Sequence, residues 1–328
     1  MAGKSRLEKK QNVVLHYAVN LIGMGAGIYI GATELVKYLA TLLVKSFHQS
    51  ATLVNPVSVP SGVMVLINLI LAVTGLLCAA LFILNFAGAQ LKPALNFSMP
   101  KNSRLWAFLP VFIGIGFIIN GLTDGLRRLL EAHTSYVASA QTTLPTGFFA
   151  TIFAMLYMCV IPAILEEILC RGIMQGMLRR WGVWFSIVVS SVLFTLLHGD
   201  IAQMPGIFAF SVMLGLAYYA TGSLTACITL HFANNIVVFI FLMVQQKLSG
   251  AAMVGFSFYI MLLVCLCAAL CVGYIVKTRL TKTLRPIPRV CDPKNRQKRT
   301  TTLATSPFYM VAMIALTIRA FYPLFMKG

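Results

Sequence analysis

Long apolar runs follow one another along the chain, parted by short polar stretches. A bilayer span needs about 20 mostly apolar residues. By that measure the pattern predicts nine helices, over 13–33, 62–86, 105–126, 148–178, 183–198, 206–220, 224–246, 251–276 and 307–324. The fifth and sixth are short and flank a polar turn, His198-Gly199-Asp200-Ile201-Ala202-Gln203-Met204-Pro205. The expected fold class is an all-α polytopic membrane protein, a bundle of 8–9 transmembrane helices. No internal repeat is evident, which argues against a transporter built from inverted halves.

Composition agrees. Of 328 residues, 59% are hydrophobic and 10% charged, and the mean hydropathy is +0.86. A water-soluble domain of this size has no use for so much apolar surface, whereas a bundle that faces lipid as well as its own core does. The net charge of +18 sits in short clusters between the apolar runs, so it reads as membrane topology and not as a nucleic-acid surface. Taking the N-terminus as cytoplasmic, the inner segments hold nineteen Lys and Arg (four at the N-terminus; Lys92, Lys101, Arg104; Arg171, Arg179, Arg180; nine from Lys277 to Arg299). The outer segments hold five, namely Lys45, Arg127, Arg128, Lys247 and Lys327. The basic stretch before the first run resembles a signal peptide, but that run is too long and lacks a small-residue cleavage site, so an uncleaved anchor is expected.

The domain organisation expected is 1–145, three N-terminal spans; 146–250, a catalytic core; 251–276, a further span; 277–306, a basic cytoplasmic linker suited to anionic lipid head groups; and 307–328, an appended C-terminal span. Seven of the eight cysteines fall in predicted spans without metal-type spacing and read as small apolar residues. Several polar residues within spans have local explanations. Glu34 and Lys37 are i,i+3; Asp124 has Arg127 and Arg128 at i+3 and i+4. Arg319 is long enough to snorkel to an interface, and His16, His48 and His133 lie near span ends, where water or head groups satisfy them.

The region 165–235 is different. Of eight acidic residues and five histidines in the whole chain, the adjacent pair Glu166-Glu167 and both His198 and His231 lie here in apolar helices. An ionisable group at the centre of a spanning helix costs at least about 2.5 kcal/mol, so the cluster marks a functional site. Glu167 and Arg171 are i,i+4 with the acid first, the favourable order for a helical pair. Glu166 lies about 100° round the helix and has no such partner there. A desolvated, unpaired carboxylate is the kind of group that serves as a general base near neutral pH. Trp181-Gly182 reads as the turn between the fourth and fifth helices. Glu166 and His198 both lie roughly 22–26 Å from that turn along antiparallel neighbours. His231 and Asn235, i,i+4, lie about 13–20 Å beyond the Thr221-Gly222-Ser223 turn, so the four residues can meet in one layer. A carboxylate with an imidazole can activate water, while an imidazole N–H and a carboxamide are neutral donors for an oxyanion. The chemistry indicated is direct attack of water on an amide; Cys170 lies close but has no base arranged to make it a nucleophile.

These residues resemble the CPBP family of intramembrane proteases, which includes CAAX prenyl endopeptidases and bacteriocin-processing (Abi-type) proteins. The family motifs are a Glu-Glu pair with Arg four positions on, Phe-x-x-x-His and His-x-x-x-Asn. They match Glu166/Glu167/Arg171, Phe194/His198 and His231/Asn235. Thr221-Gly222-Ser223-Leu224 is an approach to the last motif typical of bacterial members. The resemblance covers about 146–246. It implies that Glu166 and His198 activate the water, that His231 and Asn235 form the oxyanion hole, and that Glu167 and Arg171 support the site. Asn234 is one residue off the motif; Asn235 is preferred because it shares the His231 face. The resemblance further implies a bacterial plasma-membrane protein, membrane lipid and an apolar or lipidated peptide as partners, no nucleic acid, and no cofactor. CAAX enzymes imply a site facing the cytosol, whereas the charge count sets His198 nearer the outer side. Two other readings stand beside this one: a zinc protease with His198, His231 and Glu166 as ligands and an open fourth position, and a non-enzymatic scaffold, immunity factor or proton-coupled transporter, since buried Glu and His also make proton relays.

Overall fold

The computed structural model describes residues 2–47, 61–100, 106–134, 136, 144, 147–283 and 293–325. His48, Lys101, Arg104, Cys291 and Lys327 lie outside the described residues. Among those described there is no strand. Ten helices follow in order: α1 (Ala2–Phe47), α2 (Ser61–Leu91), α3 (Phe108–His133), α4 (Phe148–Trp181), α5 (Val183–His198), α6 (Met204–Thr221), α7 (Leu224–Gln245), α8 (Gly250–Lys277), α9 (Pro293–Thr305) and α10 (Pro307–Phe321). The protein is an all-α polytopic membrane protein.

Among the described residues seven helices are long and apolar enough to cross a bilayer, or eight if a bent pair is taken as one span. Two of the nine expected spans therefore differ. Helix α5 has 16 residues, about 24 Å at 1.5 Å per residue, and is buried along most of its length among its neighbours. Its apolar run reflects the protein core more than lipid. Helix α10 follows Arg299–Thr305 at a 76° bend, placed where Ser306 leaves the helical region and Pro307 opens the next helix. The basic segment expected as a linker thus includes a helix, α9, which packs on α1.

Local sequence accounts for the joints that build the site. Gly199 and Gly222 end α5 and α6 in the left-handed region, at φ 68° each, where a residue with Cβ is strained. Ser223 then caps α7, its hydroxyl accepting from the Ala226 N–H at 3.1 Å. Helices α4 to α7 pack on one another; α2 and α3 close the bundle, and α10 lies against α1 and α5. Helix α8 packs on α3 and otherwise exposes an apolar surface that includes Val254, Leu262 and Leu270, the surface expected to meet lipid.

The C-terminal helix is held by specific contacts. The His16 Nδ1 lies 3.2 Å from the Ser306 hydroxyl, so this histidine is satisfied within the protein and not by head groups. The Phe308 N–H donates to Asn20 Oδ1 at 3.2 Å. Three residues beyond Asn20 on α1, Gly23 faces the backbone of Phe308 and Tyr309 so closely that no Cβ fits. Gly23→Ala is expected to lower stability by about 1–3 kcal/mol through overpacking. Gly27→Ala, where a Cβ meets open space, should hold or slightly raise it through helix propensity. Thermal unfolding of the two variants in the same detergent checks the difference.

Candidate active site

Helix α4 is not a regular α-helix. It widens to π geometry over Leu156–Val160 and Ile168–Gln175, a feature concentrated at functional sites. Pro162 has no N–H, so the Met158 carbonyl four residues back loses its α-helical donor. The Asn235 side chain of α7 supplies one instead, Nδ2 donating to Met158 O at 3.1 Å. Met158, Pro162 and Glu166 recur at four-residue spacing and all face the same cavity.

Next to Glu166, the Glu167 side chain is fully buried. Its Oε1 accepts from Arg171 Nη1 at 2.9 Å and from His231 Nδ1 at 2.8 Å. Arg171, 1% exposed, donates Nη2 to the Ser211 carbonyl and hydroxyl of α6 at 2.9 and 2.7 Å, and its guanidinium lies 4.7 Å from the centre of the Phe194 ring. Phe194 also packs against the rings of His198 and His231. One carboxylate and one guanidinium thereby tie α4, α6 and α7 together beneath the cavity.

The cavity, of about 440 Å³, is lined by Glu166, His198, His231, Asn234 and Asn235, with walls from α2 through α7. The four residues expected to meet in one layer do share this space. Among the described residues Glu166 Oε2 has no hydrogen-bond partner; it lies 3.9 Å from His231 Nε2, too far for a direct bond. His198 Nδ1 is 2.8 Å from the Phe194 carbonyl. A carbonyl only accepts, so the proton is on Nδ1 and Nε2 is left with its lone pair. His231 is held likewise by Glu167 at Nδ1. This changes one expectation: the neutral His231 tautomer has no proton on Nε2, so it donates from that atom only when the ring carries both protons. Asn234 and Asn235 both reach the cavity, with Asn234 Nδ2 at 3.5 Å from Asn235 Oδ1.

The polar turn after His198 is braced from outside the four helices. Asp200 accepts from Tyr136 Oη at 2.8 Å, from the Ala202 N–H at 2.9 Å and from Gln203 Nε2 at 2.9 Å. Burial and the adjacent Asp200 carboxylate push the Tyr136 phenol above its ordinary range, so it remains a donor throughout neutral pH. Arg319, expected to snorkel outward, instead lies against Gly199 and over the Tyr29 ring at 6.0 Å, while the Tyr29 hydroxyl donates to the Leu197 carbonyl at 3.4 Å. The local pairs Lys37–Glu34, at 2.8 Å, and Asp124 with Arg127 and Arg128 are formed away from the cavity. His133 turns back to the Leu129 carbonyl of its own helix. Ser211 and Tyr29 are not singled out by the sequence, where each is a lone polar side chain in an apolar run, and Asp200 stands there only as one member of the polar turn.

As for cofactors, among the described residues no three His, Cys, Asp or Glu side chains are arranged to hold a metal ion. The seven described cysteines are free thiols, and Cys170 is buried.

The buried pair yields a prediction. Arg171→Met leaves Glu167 without its cation and should cost about 3–5 kcal/mol, whereas the double variant Glu167→Gln/Arg171→Met should recover much of that loss. Denaturant unfolding in one detergent, followed by circular dichroism, measures both.

Compared with known proteins, residues 148–237 match the family model described as type II CAAX prenyl endopeptidase Rce1-like. No curated protein and no solved structure matches the chain. The matched stretch begins with α4, ends within α7, and contains Glu166, Glu167, Arg171, His198, His231 and Asn235. The stretch that carries the site is therefore the part of the chain that is similar to type II CAAX prenyl endopeptidases.

Proposed function

We propose that the protein is an intramembrane endopeptidase that hydrolyses a peptide bond in a membrane-associated, apolar or lipidated peptide, using water activated by Glu166 and His198. The observation that carries the reading is the Glu166 carboxylate. Among the described residues its Oε2 has no hydrogen-bond partner, and Glu166 lines a cavity that it shares with two imidazoles and four carboxamides. Buried polar atoms are normally paired; this one is buried and unpaired in a residue that lines the cavity, so a water or substrate group admitted there is its natural partner.

Water held between Glu166 and the His198 Nε2 lone pair gives its proton to the carboxylate as its oxygen adds to the carbonyl carbon. The carbonyl oxygen becomes an oxyanion. Asn235 donates to it through the Nδ2 hydrogen not used by Met158, and His231 donates from Nε2 when its ring holds both protons. Glu167 and Arg171 fix the direction of that ring. Glu166 then passes its proton to the amide nitrogen as the C–N bond breaks, which leaves a new carboxyl group and a free amine and restores the carboxylate.

Support for the peptide substrate comes from the family description, which names a prenyl endopeptidase, and from the cavity's position in an apolar bundle. The charge asymmetry of the loops supports a cytoplasmic N-terminus, and the Thr221-Gly222-Ser223-Leu224 approach supports a bacterial plasma membrane and the processing of peptides such as bacteriocins.

Purified protein in lipid nanodiscs should cleave a fluorogenic farnesylated CAAX peptide. Glu166→Gln should lower kcat by about 10²–10⁴-fold, the worth of a general base, with thermal stability kept. Asn235→Ala should lower it by about 10²–10³-fold, the worth of an oxyanion donor. Undiminished turnover by Glu166→Gln, or stoichiometric zinc whose removal stops turnover, would overturn the glutamate reading.

A further inference from the structure

The matched segment does not form the whole cavity. One wall belongs to α3, which lies outside it, and contributes Gly116, Ile119, Asn120 and Thr123. Two glycine contacts pin α3 on either side of this patch. At Gly116 an added Cβ would fall 2.5 Å from Asn234 Oδ1 of α7; at Gly206 of α6 it would meet Thr123 Oγ1 and, at 2.9 Å, Ile119. Between these close approaches Asn120 is held on the cavity wall at the midpoint of α3.

Four carboxamides line the cavity, and their partners set one apart. Gln203 donates to Asp200, Asn235 to Met158 O, and Asn234 is directed to Asn235. Among the described residues the Asn120 carboxamide meets no hydrogen-bond partner, and its residue is exposed. A free carboxamide halfway along a bilayer-spanning helix is costly, and its short side chain cannot reach an interface as Lys or Arg does.

Water reaches a peptide bond in a membrane only where the substrate backbone is extended, without helical hydrogen bonds at the cleavage site. In hydrocarbon each freed peptide N–H and C=O then costs several kcal/mol unless the protein pairs it. A carboxamide offers an acceptor and a donor side by side, the complement of one residue's backbone N–H and C=O. We propose that Asn120 is a substrate-binding residue that hydrogen-bonds the backbone of the unwound peptide beside the scissile bond, with α3 forming the wall along which that peptide lies. The assignment rests on the endopeptidase reading above and goes beyond it by naming the ligand group, a main-chain amide, and the residue that receives it.

The test uses full-length protein in nanodiscs and the farnesylated CAAX peptide. Asn120→Leu should raise KM by about tenfold, one hydrogen bond's worth, with kcat within about a factor of two and unchanged melting behaviour. A second series replaces, one at a time, the amides flanking the cleaved bond by esters, which removes a single N–H. In wild type one ester position should weaken KM by about tenfold; in Asn120→Leu that position should no longer matter. An unchanged KM in Asn120→Leu overturns the proposal, and so does an ester profile that is flat in wild type or identical in both proteins. Should Asn120→Leu fail to fold, Asn120→Ala takes its place in both series. Full activity in Glu166→Gln, or no cleavage by wild type, overturns the endopeptidase reading itself and this assignment with it.

Discussion

The arrangement depends on one buried carboxylate. Glu167 is removed from solvent, and a charge in that position is tolerated only with strong partners. It has two, Arg171 on its own helix and His231 on α7, and Arg171 in turn reaches Ser211 on α6. These charge-assisted bonds are directional, so they set the rotation of three helices about their axes. With α4 turned so that Glu167 points into the protein, its neighbour Glu166 is carried about 100° round to the cavity. With α7 turned so that His231 meets Glu167, Asn235 follows on the same face. The bond that buries one acid thus presents the other.

The same bond settles the chemistry of the ring. Because Glu167 takes the Nδ1 proton of His231, the nitrogen that faces Glu166 carries a proton only in the doubly protonated ring. His198 is oriented by a weaker version of the same device, the carbonyl of Phe194 one turn earlier. In each case a partner on the far side of the imidazole determines what its near side offers the cavity.

The spans were legible in the sequence because about 20 apolar residues suffice to cross a bilayer, and the eight acids of the chain made the pair at 166 and 167 conspicuous. The i,i+4 spacings of Glu167 with Arg171 and of His231 with Asn235 follow from helix geometry alone. The differences have a common cause. An apolar run is the same whether lipid or protein covers it, so the sequence does not show that the 16-residue α5 is covered mostly by protein, nor that the appended α10 lies against α1 and α5. Arg319 read as a snorkelling residue because sequence cannot show that Tyr29 and the Gly199 turn lie beside it.

By itself the sequence determined the class of the fold, the order of the helices and the identity of the ionisable residues at the site, since these rest on local composition and on the 3.6-residue turn. Only the tertiary structure decided which helices became neighbours, which nitrogen of His198 and of His231 was occupied, that Pro162 left a carbonyl for Asn235 to fill, and that α3 supplied a cavity wall with a carboxamide that meets no partner among the described residues. The reason is physical. In a soluble protein the apolar stripe of a helix points to its core, but in a membrane the apolar face carries no such direction, and helix neighbours are chosen by small residues, close packing and a few buried polar bonds that join positions far apart in the chain.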